Sequence, residues 1–127
     1  SISGPATNKV LSAEGSLPKF STSTEGVGTL AGAEVQSMAT YSSSMRADGT
    51  LYGECPNQGV IMTQDGVATF RATGMGTFTA EGGSKFRGAC YFQASAPSLS
   101  SLNGVCCVYH FDVDAEGNST FDIWEWN

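Results

Sequence analysis

Charge is what this chain has least of, and positive charge least of all. Asp, Glu, Lys and Arg make up 14% of its 127 residues; 6 Lys and Arg face 12 Asp and Glu, a net charge of −6. With no Lys/Arg cluster there is no patch to displace counterions from phosphates, which argues against a nucleic-acid partner. Long apolar runs are missing too. The longest, residues 104–111, is strand-sized, far short of the ~20 residues of a membrane-crossing helix, so no membrane partner is expected. One histidine, His110, and no Cys-x-x-Cys pair lead to the expectation of no metal and no cofactor. No secretory leader is seen at Ser1, and the expectation is that an initiator Met or a processed segment has been removed. The four cysteines include the neighbours Cys106 and Cys107, which in a strand point to opposite faces and cannot share one site. Buried free thiols in a reducing cytoplasm are expected.

What is present is alternation. In residues 68–79, Ala68, Phe70, Ala72, Gly74, Gly76 and Phe78 fall on one face, and Thr69, Arg71, Thr73, Met75, Thr77 and Thr79 on the other. That period of two marks a long strand, and glycines inside a strand mark sharp bending or close approach of another backbone. Turns at residues 63–66 and 80–83 flank it and make residues 60–93 three consecutive strands. Residues 33–41 alternate equally well, and Asp48-Gly49 sets a hairpin between 37–45 and 50–54. Residues 55–59 then break the pattern. Residues 1–30 are weakly patterned, with short strands near Val10-Leu11 and 17–20 that Pro5 and Pro18 keep short or at an edge. Glu25 to Gly32 echoes the Gly-x-Gly run at Gly74, too briefly for a repeat. Residues 96–104 hold the one helical turn, begun by Pro97 and stopped by Gly104, suited to capping a barrel end. Strands over 105–113 and 119–126 follow, joined by a Gly117 loop. About eight consecutive strands in one domain, 1–127, are best closed, because closure removes exposed edges. The fold class predicted is all-β, an antiparallel up-and-down eight-stranded barrel, wide enough for side chains or one small ligand.

The run Gly74-Met75-Gly76-Thr77-Phe78, followed by Gly82-Gly83-Ser84-Lys85-Phe86-Arg87-Gly88-Ala89-Cys90-Tyr91, resembles the central hairpin of the allene oxide cyclase-like barrels. This calycin-like group includes the dirigent proteins. Leu102-Asn103-Gly104-Val105 and the closing Trp124-Glu125-Trp126 look closest to its uncharacterised bacterial members. The resemblance implies an eight-stranded barrel, often a homo-oligomer, whose apolar cavity shapes the cyclisation or coupling of a reactive small molecule. No position here is matched to those enzymes' catalytic carboxylate, so an isomerase or cyclase is a fold-level analogy.

Several residues are candidates for chemistry, each with a plainer role beside it. Glu54 ends a strand near a barrel mouth, and burial would raise its carboxyl into the general-acid range. His110 is a general base if its face is interior, and otherwise a hydrogen-bonded structural histidine. Arg71 and Arg87, on paired strands, hold a ligand carboxylate if they face a cavity, or are solvated surface charges. Tyr41, Tyr52, Tyr91 and Tyr109 each offer one hydroxyl on an apolar ring, to orient a ligand or to close a rim. Gly74-x-Gly76 lacks the following helix that a dinucleotide site requires and is read as barrel curvature. Cys90 and Cys107 read as packing residues. Trp124 and Trp126 share a face that must meet the core, a ligand or another subunit. Three functions follow: a cyclase acting on an apolar small molecule, a non-catalytic carrier of one, or a filled barrel that serves subunit assembly.

Overall fold

The computed structural model describes residues 1–126, with Ser16 as backbone only. Eight strands follow one another: β1 Ile2–Ser12, β2 Lys19–Leu30, β3 Ala33–Met45, β4 Leu51–Thr63, β5 Gly66–Phe78, β6 Ser84–Ala94, β7 Cys107–Val113 and β8 Asn118–Glu125. Each pairs antiparallel with the next, and β8 returns to β1, closing the up-and-down barrel. The closing seam is short, running from Ile2↔Phe121 to Pro5↔Asn118. The Ser119 hydroxyl strengthens it by donating to the Gly4 carbonyl at 2.8 Å.

Turn chemistry makes the hairpins local. Asp48 accepts from the Thr50 N–H at 3.0 Å and from its hydroxyl at 2.6 Å. Asp114 accepts from the Glu116 and Asn118 N–H groups at 3.0 and 2.9 Å. Both turns end on a left-handed glycine, Gly49 at φ 87° and Gly117 at φ 85°, a conformation that a Cβ disfavours.

Two stretches depart from the expectation. The first strands are long, not short. Pro5 is accommodated because β1 leaves β2's ladder at Gly4 and Pro5, between Ser3↔Val27 and Ala6↔Thr24, so no ladder donor is demanded of it. Residues 55–59 do not end a strand either; β4 runs through them as a bulge. From Cys55 to Gly59 it advances four residues while β5 moves two, Ala72 to Phe70. Asn57 takes the left-handed conformation there, at φ 58°.

The interior is built from rings laid on glycine. Phe70 is paired with Gly59, and a Cβ at Gly59 would lie inside its ring. Phe86 covers Gly53 and Gly76, where Cβ atoms would stand 3.0 and 2.6 Å from its ring carbons. The Tyr109 hydroxyl occupies the place of a Cβ on Gly74. Ring contacts then link Phe86 to Tyr41, Tyr41 to Phe111, Phe111 to Phe121 and Phe121 to Phe70, with centroids 5.5 to 5.9 Å apart. Such pairs contribute about 0.5–1.5 kcal/mol each beyond area burial. Phe78, on the same face as Phe70 by alternation, stands half-exposed at the rim, edge-on to Phe20 at 6.1 Å.

One barrel end is capped by the 3-10 turn Pro97–Leu102, as its Pro97 and Gly104 predict. Ala96 and Leu99 are fully buried. Asp65, in the β4–β5 turn, holds the cap by accepting from the Ser98 N–H at 2.8 Å and its hydroxyl at 2.7 Å. Hydrogen bonds from Thr63 and Ser98 keep the Asp65 carboxyl below its ordinary range.

Gly59→Ala tests the ring-on-glycine packing. The methyl cannot enter without displacing Phe70, so a loss of about 1–3 kcal/mol is expected. In urea unfolding it reads as a lower midpoint with unchanged slope; an unchanged midpoint contradicts it.

Candidate functional site: an apolar cavity beside the β4 bulge

A cavity of about 60 Å³ remains inside the barrel. Its wall mixes small residues, Gly26, Ser37, Ala39, Gly53, Cys55, Ala72 and Ser119, with the rings of Tyr41, Phe70, Phe86, Tyr109, Phe111 and Phe121. The cavity exists because short side chains alternate with rings along the inner faces of β3, β5 and β8, beside the bulge where β4 carries surplus residues. The Cys55 thiol is turned to the Thr40 carbonyl, 3.4 Å away.

Two of the candidate residues come together here. Tyr41 and Tyr109 both face the cavity. Burial pushes the Tyr41 phenol up, a hydrogen bond with the Thr22 side chain partly offsetting it. Burial pushes Tyr109 up further, reinforced by the nearby Cys90, Tyr41 and Cys55, and no hydrogen bond relieves it. Its hydroxyl is free to donate or accept.

The other candidates stand on the outer face. Glu54 borders the cavity, but its side chain lies opposite Gly53 and Cys55 and is exposed. His110 is exposed, its ring edge-on to Trp124 at 4.9 Å; the interior position that a general base required is not the one it takes. Arg71 is exposed, and Arg87 is held by Asp112 at 2.7 Å and the Phe86 carbonyl at 2.8 Å. No cavity carboxylate clamp is formed by the two arginines. Tyr91 is exposed, and Tyr52 lies under the Arg46 guanidinium, 5.4 Å from its ring centre. The physical reason is common to all: each alternates with an inward Gly, Cys or aromatic residue, so the pleat sends it outward. Among the described residues the buried polar side chains are Thr22, Ser37, Ser43 and Ser119, with no charged group among them. Among the described residues, no cluster of His, Cys, Asp and Glu is placed to hold a metal.

Sequence reasoning missed Ile2, Ser37, Ala39, Ala72 and Ser119 as lining residues. Period two marks Ser37, Ala39 and Ala72 as sharing faces with Val35, Tyr41 and Phe70. Nothing in the chain marks Ile2 or Ser119, which reach the cavity only through the β1–β8 seam. The tryptophan face meets neither core nor cavity: Trp124 and Trp126 are 49% and 70% exposed.

No helix is long and apolar enough to cross a membrane among the described residues. What fold and site define is a closed eight-stranded barrel with a small aromatic-walled cavity. Comparison with protein families, with curated proteins and with solved structures finds no match.

The two buried phenols set an alkaline limit on stability. Ordinary tyrosine ionises near pH 10, and both folded values are raised. The unfolded chain therefore loses these protons first as pH passes about 10; stability is complete below that and falls as pH climbs toward the folded values. Tyr109→Phe removes part of this loss. Its alkaline unfolding midpoint, followed by tyrosinate absorbance, is expected above that of the wild type; an equal or lower midpoint contradicts the assignment.

Proposed function

We propose that this protein is a non-catalytic barrel that holds a small apolar molecule by one hydrogen bond. The observation carrying this reading is a cavity walled largely by rings and small residues, with the Tyr109 phenol on its lining and no hydrogen bond relieving that phenol's burial. Small-molecule sites pair apolar walls with a few such polar groups. At about 60 Å³ the space is well below the ~150 Å³ of an apolar cavity that admits benzene. The ligand is therefore a molecule of a few heavy atoms with one acceptor oxygen, such as a short ketone, ether or alcohol.

The isomerase or cyclase implied by kinship with the allene oxide cyclase-like barrels has less behind it. Proton transfer would fall to phenols that are neutral near pH 7 in any case and that burial makes weaker acids still, leaving confinement as the main source of rate. Assembly is favoured by a different observation. Tyr91, Val108, Trp124 and Trp126 are all exposed on the outer face of β6 to β8 and beyond its end, and such apolar patches are commonly covered. A homo-oligomer through this face is our second reading, and sedimentation over a concentration series separates it from a monomer.

The ligand reading is tested by thermal shift and native mass spectrometry over a panel of short ketones, ethers and alcohols. A binder is expected to lose roughly 3- to 10-fold in affinity in Tyr109→Phe, the range of one neutral hydrogen bond. Binding is expected to disappear in Ala72→Leu, which fills the cavity. A panel without binders, or a binder indifferent to Ala72→Leu, counts against the proposal.

A further inference from the structure

Cys90 and Cys107 are the last pair of the β6–β7 ladder, directly opposed across it. Both side chains point inward and are fully buried, close enough that each thiol influences the other's ionisation. Directly opposed residues of an antiparallel pair have Cα atoms about 4.5–5.5 Å apart, inside the roughly 4.4–6.8 Å that a disulfide spans. The other two cysteines are placed differently. Cys55 shares the same inward row, but Ala72 stands between it and Cys90, two strand spacings or about 10 Å away. Cys106 precedes β7, half-buried and outside the ladder.

We propose that Cys90 and Cys107, free thiols in this structure, are the two halves of a cross-strand disulfide that forms on exposure to a small-molecule disulfide and staples the barrel cap. Between them runs the chain segment that leaves the wall after β6, forms the Pro97–Leu102 cap and returns as β7. The bond clips that segment at its neck. Oxidised glutathione balances the reaction. The Cys107 sulfur attacks one glutathione sulfur, breaking the S–S bond, and the departing thiolate takes up a proton. Cys90 then displaces the second glutathione from Cys107, and its proton goes to that thiol. Two protein sulfurs are oxidised by one electron each, and two glutathione sulfurs are reduced. Burial pushes both protein thiols up, so attack is slow and waits on opening of the ladder end, where Cys107 is the first residue of β7.

The test incubates the chain with oxidised glutathione or with reductant, then denatures it in excess N-ethylmaleimide for intact mass and peptide mapping. The reduced sample is expected to carry adducts on all four cysteines. The oxidised sample is expected to carry two adducts and one peptide link, Cys90 to Cys107, and amide exchange at Leu99 should slow several-fold. Cys90→Ser and Cys107→Ser should each lose the link while Cys55→Ser keeps it; the wild-type map decides if a serine variant fails to fold. Four adducts after prolonged oxidation, a lasting glutathione adduct, a link through Cys55 or Cys106, or unchanged exchange at Leu99 would each overturn the proposal.

Discussion

An aromatic ring lying where a neighbouring strand has no side chain is the contact on which the rest of this barrel depends. An eight-stranded barrel is narrow, its interior just wide enough for side chains to fill. Opposed rings would overfill it, and opposed small residues would leave it hollow. Here Phe70 lies on Gly59, Phe86 on Gly53 and Gly76, and Tyr109 on Gly74, so the wall and the core share one volume. The bulge at residues 55–59 belongs to the same solution: it brings Gly59 opposite Phe70 and leaves Cys55 opposite Ala72. Where the small residues outnumber the rings, the cavity is what remains.

The cavity's chemistry follows from the same economy. A wall of glycine, alanine and serine against aromatic faces has no place for a charged side chain without a partner, since burying one is strongly unfavourable. The charges stand outside, where Arg87 and Asp112 meet at 2.7 Å and Arg46 covers Tyr52. Inside are hydroxyls and thiols, all neutral near pH 7. That set suits holding a molecule better than transforming it. Meanwhile the cap is tied to the β4–β5 turn by Asp65 and shuts one end of the barrel.

Much of this was legible in the residues. Alternation located β3, β5 and β7, the turn at residues 80–83 located β6, the Asp48-Gly49 and Gly117 loops located two hairpins, and Pro97 with Gly104 located the cap. Closure followed from the strand count. The opening third was not legible, because β2 turns Thr22, Thr24, Gly26 and Gly28 inward, and a face of Thr and Gly carries no apolar signal. Residues 55–59 misled for a related reason: Pro56 and Asn57 are read as breakers, yet a bulge tolerates both. Of the candidate site, the tyrosines divided evenly, Tyr41 and Tyr109 inward and Tyr52 and Tyr91 outward. Period two shows that two sets of residues face opposite ways but not which way is in. Where glycine fills inward positions, the outward set of Glu54, Arg71, Arg87 and His110 looks just as well placed to do chemistry.

A proton nuclear Overhauser spectrum of the folded chain addresses the ring-on-glycine packing most directly. Cross-peaks from the Phe70 ring to the Gly59 α-protons, and from the Phe86 ring to those of Gly53 and Gly76, are expected, with the glycine α-protons shifted upfield by the rings above them. Glycine α-protons at ordinary shifts, with no cross-peaks to any ring, would mean that the barrel is filled in some other way and that its cavity is not the one described.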